Sequence, residues 1–332
     1  MDQLLIFTIL SSFVVTILLV PHWIHRAKKE KLIGRDIHKL DKKEVAEGGG
    51  INVLAGIGIG ILLYVGVKTF FMGGNGQTKE IFAILSVILI ASMVGLVDDA
   101  LGWKKGLAKK IRILVLFFAA IPLMVINAGT SSMALPFFGT IDFGIWYALI
   151  LIPLGVIGVT TTFNFLGGFN GLETGQGIIL LSGLAYVTYI TNQRWLSVIA
   201  LCGVSALFGF WFFNKYPAKI FPGDVLTYSV GALFAAITIL GNVEKIAIFF
   251  FIPYIFEVIL KSRGRLNKES FGKLNNDGSL DMPYKKSYSL THVAIKVLKK
   301  IKPSKKVYEK DVTWLINFVQ LVVVVVGILV FL

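Results

Sequence analysis

Residues 80–99 read EIFAILSVILIASMVGLVDD. After Glu80, residues 81–97 carry no charge, and the run then stops on two aspartates. A helix needs about 20 mostly apolar residues, within a range of about 17–25, to cross a bilayer. The stretch therefore reads as a transmembrane helix whose exit is marked by Asp98 and Asp99. Working outward, nine further runs of this kind lie near 3–23, 51–71, 111–127, 143–163, 174–192, 195–213, 225–241, 245–260 and 313–332. No internal repeat or low-complexity linker divides them. The expected fold is an all-α polytopic membrane protein of about ten transmembrane helices. It forms a single domain over 1–332, with a cytoplasmic loop over 262–312 inside it.

Composition agrees. Of 332 residues, 55% are hydrophobic and 16% charged, against about 25% charged in soluble globular chains. That excludes a disordered tail, a collagen and an ordinary soluble enzyme. The single cysteine, Cys202, lies in an apolar run and can form neither an internal disulfide nor a thiolate metal cage.

The net charge of +14 is explained by its location. Segments 24–50, 98–112, 214–224 and 261–312 hold 8, 5, 2 and 14 Lys plus Arg. With ten spans all four fall on one face, which the positive-inside rule makes cytoplasmic. Both termini are then outside. No nucleic-acid recognition motif accompanies the charge, so no nucleic-acid partner is expected. The stretch VAIKVLKKIKPSKK at 293–306 reads as a basic amphipathic segment on the lipid surface.

Acids at membrane level are costly and therefore candidates for function. Asp98 and Asp99 close a helix at its C-terminus, where two carboxylates oppose the dipole and repel each other. They could be solvated acids at a helix exit. They also suit a divalent cation, or the binding and deprotonation of an acidic substrate group. Lys104, Lys105, Lys109, Lys110 and Arg112 follow, either as phosphate ligands or as an ordinary positive-inside loop.

A second motif, TTTFNFLGGFNGLETGQG at 160–177, places Asn164, Asn170 and Glu173 in an apolar setting. Its Gly167, Gly168 and Gly171 permit tight turns and close backbone approach to a ligand. Asn170 could instead simply cap the next helix. In FPGDVLTYSVG at 221–231, Asp224 could be an N-cap or a metal ligand. The segment KSRGRLNKESFGKLNNDG at 261–278 interleaves Lys261, Arg263, Arg265, Lys268 and Lys273 with Glu269 and Ser270. It reads as phosphate contacts or as a solvated basic loop.

These motifs, in this order, resemble the polyprenyl-phosphate N-acetylhexosamine-1-phosphate transferase family. The residues behind that are AEGGG at 46–50, VDD at 97–99, NFLGGFNGLETGQ at 164–176, FPGDVLTY at 221–228 and NNDGSLDMPY at 275–284. The likeness covers essentially the whole chain and is nearest the archaeal and eukaryotic branch, which makes dolichyl-diphosphate GlcNAc. It implies transfer of GlcNAc 1-phosphate from UDP-GlcNAc to a dolichyl or polyprenyl phosphate with release of UMP. That reaction is the first step of lipid-linked oligosaccharide assembly.

The resemblance also implies Mg²⁺, or Mn²⁺ in its place, a multi-pass cell-membrane location with the active site facing the cytoplasm, and a homodimer. It assigns Asp98 and Asp99 to the lipid phosphate, Asn164 and Asp224 to the metal, and Glu47, Gly168 and Asn170 to the neighbourhood of the uridine. Arg112 fits the family's basic residue after the acid pair, with Lys109 as the competing alignment. Glu173, Arg263, Arg265, Lys268 and Lys273 complete the substrate-binding set. One departure stands out: the eukaryotic Arg-His-Arg motif is replaced by NKESFGK at 267–273, which leaves the sugar-phosphate contacts open. The rivals are the same reaction with another UDP-HexNAc for cell-wall or exopolysaccharide synthesis, and a secondary transporter. A transporter would place ionisable groups near the midplane on broken helices. Of the acids, only Glu257 approaches that pattern.

Overall fold

The chain runs α1 (Gln3–Lys29), a hairpin β1 (Ile33–Arg35) and β2 (Glu44–Ala46), α2 (Gly50–Phe71), α3 (Thr78–Leu101) and α4 (Lys109–Val125). A second hairpin, β3 (Ser132–Leu135) and β4 (Gly139–Asp142), precedes a π-helical turn (Tyr147–Leu151) that runs into α5 (Ile152–Phe165). Then come α6 (Leu172–Ile190), α7 (Arg194–Asn214), α8 (Gly223–Gly241), α9 (Glu244–Phe250) and α10 (Ile252–Arg263). A third hairpin, β5 (Lys273–Leu274) and β6 (Leu280–Asp281), leads to α11 (Leu290–Ile301) and α12 (Glu309–Phe331). This computed structural model describes residues 3–74, 76–102, 106–135 and 139–332. Lys104 and Lys105 lie outside the described residues, as does the side chain of Lys109.

Among the described residues seven helices are long and apolar enough to cross a membrane: α1, α2, α3, the π-turn with α5, α7, α8 and α12. The other three predicted runs coincide with α4, α6 and the α9–α10 pair. α4 has only 17 residues. α6 opens on the polar Glu173, Thr174 and Gln176. The ninth run is broken at Phe251, just ahead of Pro253, because proline cannot donate to the helical ladder. The amide of Gln320 on α12 donates to the Phe250 carbonyl at 2.8 Å at this break, so an acceptor exposed by the broken ladder is not left bare in apolar surroundings. The all-helical expectation needs one correction. Three two-stranded antiparallel hairpins lie in the connections, where water or side chains can satisfy the free strand edges.

α8 is the central post: every residue from Val225 to Gly241 is buried. Small residues let its neighbours approach closely. A Cβ on Gly231 would lie 2.8 Å from the Thr160 backbone of α5, and one on Gly95 of α3 would lie 2.4 Å from the Asp224 backbone. The approach to α8 is sewn to the entrance of α2. Phe221 N donates to Ala46 O at 2.8 Å, Gly49 N to Phe221 O at 3.0 Å and Gly50 N to Pro222 O at 2.7 Å. This brings Glu47, Asp99 and Asp224, distant in sequence, to the walls of one cavity.

Candidate active site

Asp98 and Asp99 end α3, and each finds a different compensation. Asp98 is buried. Its Oδ1 accepts from Leu107 N at 2.5 Å and its Oδ2 lies 3.0 Å from Arg112 Nε. Arg112 reaches on to within 4.0 Å of Asp224 Oδ2. Asp99 receives the backbone N–H of Asp224 at 2.7 Å and of Val225 at 3.3 Å. The first turn of α8, where unpaired N–H groups and the helix dipole favour an anion, thus holds a carboxylate from α3. Asp224 does not cap α8 itself; the position before the helix is Pro222. Gly223 makes the contact possible: its φ is +68°, and a Cβ there would sit 2.3 Å from Asp99 Oδ2.

Asn164, at the end of α5, donates to Asp224 Oδ1 at 2.9 Å and to Thr227 Oγ1 at 2.8 Å. The Asn164 side-chain carbonyl and the Asp224 carboxylate, joined through the Asn164 amide, offer oxygen donors of the kind a hard divalent cation prefers.

These groups border two adjoining cavities. The smaller, about 350 Å³, is lined by Glu47, Asp98, Asp99, Arg112 and Asp224. The larger, about 940 Å³, shares Glu47 and Asp224 and extends past Asn164, Gly168, Asn170 and Glu173 to Lys261 and the 266–271 segment. Glu47 stands between them, and burial raises its carboxyl above the usual range. Glu173 accepts from Gly168 N at 2.7 Å, which fixes the glycine turn. Gly168 itself has φ +91° and lies under Phe271, whose ring would be 2.4 Å from a Cβ there.

Asn170 does not cap α6; Gly171, with φ +78°, occupies that position. Instead its backbone N donates to Glu309 Oε1 at 2.8 Å and its Nδ2 to Asp36 Oδ2 at 3.0 Å. Sequence reasoning missed this buried cluster. Ligand atoms of Asp36, His38 and Glu309 lie within 4.8 Å of one another, a spacing that could hold a metal. Lys39 already supplies the cation, at 2.5 Å from Glu309 and 3.6 Å from Asp36. Glu309 was findable as an acid at the mouth of a span. Of the basic residues expected to bind phosphate, Lys268 lines the larger cavity, whereas Arg263, Arg265 and Lys273 are exposed and outside it.

A third cavity, an apolar groove of about 400 Å³, runs along α5, α8 and the α9–α10 pair. Tyr147 and Glu244 hydrogen-bond to each other at one end. At its other end the groove reaches Thr162 and Ile259, one half-turn before Asn164.

Residues 81–242 match the glycosyl transferase family 4 model. A protein of Saccharolobus solfataricus, provisionally named UDP-N-acetylglucosamine–dolichyl-phosphate N-acetylglucosaminephosphotransferase, is 38% identical over 291 residues, covering 87% of each chain. A protein of the same provisional name from Sulfolobus acidocaldarius is 32% identical, covering 88% of each. The phospho-N-acetylmuramoyl-pentapeptide-transferase of Streptococcus thermophilus is 29% identical over 264 residues, covering 74% of this chain and 75% of its own. With relatives this similar over most of its length, and with the acid pair and Asp224 inside the matched segment, the chain belongs to glycosyl transferase family 4.

Proposed function

We propose that the protein transfers N-acetylglucosamine 1-phosphate from UDP-N-acetylglucosamine to a dolichyl or polyprenyl phosphate, releasing UMP and opening lipid-linked oligosaccharide assembly. The observation that carries this reading is the meeting of three environments around Asp224. An acid pair with its arginine lies on one side of Asp224 and a cavity large enough for a nucleotide sugar on the other, while an apolar groove along α5 reaches Thr162, two residues from Asn164 in sequence.

The reaction forms one P–O bond and breaks another. An oxygen of the lipid phosphate attacks the sugar-bearing β-phosphorus, and the bridging oxygen departs with UMP. Both reactants are anionic, so the barrier is dominated by charge repulsion. Arg112 spans Asp98 and Asp224 and would steady the acceptor phosphate. Asp98 is already paired with it. Asp99, which among the described residues is hydrogen-bonded by backbone N–H groups, is the carboxylate that accepts the proton of the lipid phosphate.

Mg²⁺ suits the oxygen set of Asn164 and Asp224, and when bound it would neutralise the diphosphate. Lys268 adds positive charge to the sugar-nucleotide cavity. Glu47, Gly168 and Asn170 line its uridine side, and Glu173 holds the Gly168 turn. The groove beside α5 takes the first isoprene units.

Read as ten spans, with α4, α6 and α9–α10 joining the seven long helices, the chain has both termini outside and its site at the cytoplasmic face of the cell membrane. The whole chain is one domain carrying the 262–312 loop, and two copies pair as a homodimer. The basic segments, all on one face under that count, support this orientation.

The test is a transfer assay on purified protein in detergent with UDP-GlcNAc, polyprenyl phosphate and Mg²⁺, following UMP with and without EDTA. Metal-dependent UMP appearing with a lipid-diphosphate sugar supports the reading. Turnover only with another UDP-HexNAc corrects the sugar. Silence across sugars and lipids from folded protein overturns it.

A further inference from the structure

The wall of the larger cavity formed by residues 266–271 belongs to no helix or sheet. Three successive residues at its end have backbone groups bonded to side chains from distant elements. Ser270 O accepts from Thr291 Oγ1 at 2.5 Å, Phe271 O from His292 Nε2 at 3.2 Å, and Gly272 N donates to His38 Nε2 at 3.2 Å. The Ser270 hydroxyl also receives Lys261 Nζ at 2.6 Å. Buried backbone groups must find partners, and here side chains supply them. His292 Nδ1 accepts from Tyr288 N at 3.2 Å, so Nε2 carries the proton that Phe271 receives. Thr291 and His292 are completely buried and touch the cavity only through this segment.

Their own position is set by α10. The carboxylate of Glu257, completely buried, accepts from Leu290 N at 2.6 Å, the first N–H of α11. The chain of contacts therefore runs from α10 through the first turn of α11 to Phe271, whose ring closes over Gly168.

We infer that Thr291 and His292 are positioning residues: the first turn of α11 fastens the Ser270–Phe271 wall against the Gly168 turn and so sets the fit of the sugar-nucleotide cavity. The kinetic arm of this inference rests on the proposed reaction; the exchange arm does not.

The test compares Thr291→Val, His292→Phe and His292→Gln in the full-length protein. Gln keeps a donor near the Nε2 position, and Val keeps the shape of Thr. Without substrate, amide exchange at residues 271–273 should speed about tenfold in the Val and Phe variants and return in the Gln variant. In the transfer assay, KM for the UDP-sugar should rise about tenfold, with KM for the lipid phosphate unchanged. Unaltered exchange at these amides overturns the inference. So does a loss of kcat at constant KM, or an equal rise in both KM values. Were the wild-type protein inactive with every UDP-sugar, the reaction would fall while the exchange result still decided the fastening.

Discussion

Asp99 of α3 caps α8: its carboxylate takes the backbone N–H groups of Asp224 and Val225 at 2.7 and 3.3 Å. One side chain thus serves a helix end and, on the proposed reading, a proton. Asp99→Asn separates the two. Asparagine is itself a good capping residue, so stability should fall by only about 1 kcal/mol. Loss of a general base should cut turnover by about 100-fold or more. Parallel measurement of UMP release and thermal unfolding in detergent checks both.

The Asp98–Arg112 pair gives a second prediction. Arg112→Met strands a buried carboxylate that still receives Leu107 N, and should cost about 3 kcal/mol. Adding Asp98→Asn should restore most of that stability while leaving activity lost. A double-mutant cycle of unfolding and UMP release would reveal a purely structural pair if activity recovered with stability.

Asn164 is held by Asp224 and Thr227, and on the proposed reading its carbonyl is a ligand of the metal. Asn164→Ala should weaken the apparent divalent-metal affinity by about tenfold or more, with maximal rate partly recovered at high metal. A Mg²⁺ titration of initial rate decides it; an unchanged half-saturation point places Asn164 outside metal binding.

Gly168 and Gly58 make a matched pair. Gly168 combines φ +91° with a Phe271 ring that would stand 2.4 Å from an added Cβ, whereas a Cβ on Gly58 would meet nothing within 4 Å. Gly168→Ala should cost about 1–2 kcal/mol and raise KM for the UDP-sugar. Gly58→Ala should leave stability equal or higher, because alanine is the better helix former. Thermal unfolding of the two variants side by side, with UMP kinetics for the first, checks the contrast.

His292 predicts an acid limit on stability. Burial lowers its folded value from 6.5 to about 4, opposed in part by its bond to Phe271 O. Between those two values the unfolded chain binds a proton that the native one refuses. This contribution is therefore fully present above pH 6.5 and is lost as pH falls toward 4, by roughly 3 kcal/mol at most. His292→Gln should flatten that part of the unfolding profile.

The spans were legible because a bilayer tolerates only long apolar helices, and the runs announce them. A break near Pro253 is readable from that residue; its repair is not, because Gln320, which satisfies the Phe250 carbonyl, lies 70 residues away. Within the site, Asp98, Asp99, Asn164, Asp224 and Glu173 were readable as polar groups where lipid exacts a penalty. Asp36, His38 and Lys39 were not. They sit in a strongly basic loop, where a solvated charge and one turned inward look alike, and partners far along the chain, Asn170, Gly272 and Glu309, draw them in. Arg263, Arg265 and Lys273 are exposed and off the cavity wall, where a solvated charge and a phosphate ligand read alike in sequence.

The apolar groove along α5 and the polar cavity beside Asp224 differ in dimensionality. On the proposed reading, one substrate diffuses in three dimensions and the other in two. The rate should then follow the acceptor's mole fraction among surrounding lipids rather than its amount per volume, so diluting it with inert phospholipid slows the enzyme at constant total concentration. Product would also leave sideways, already in the layer where the next lipid-modifying enzyme must find it.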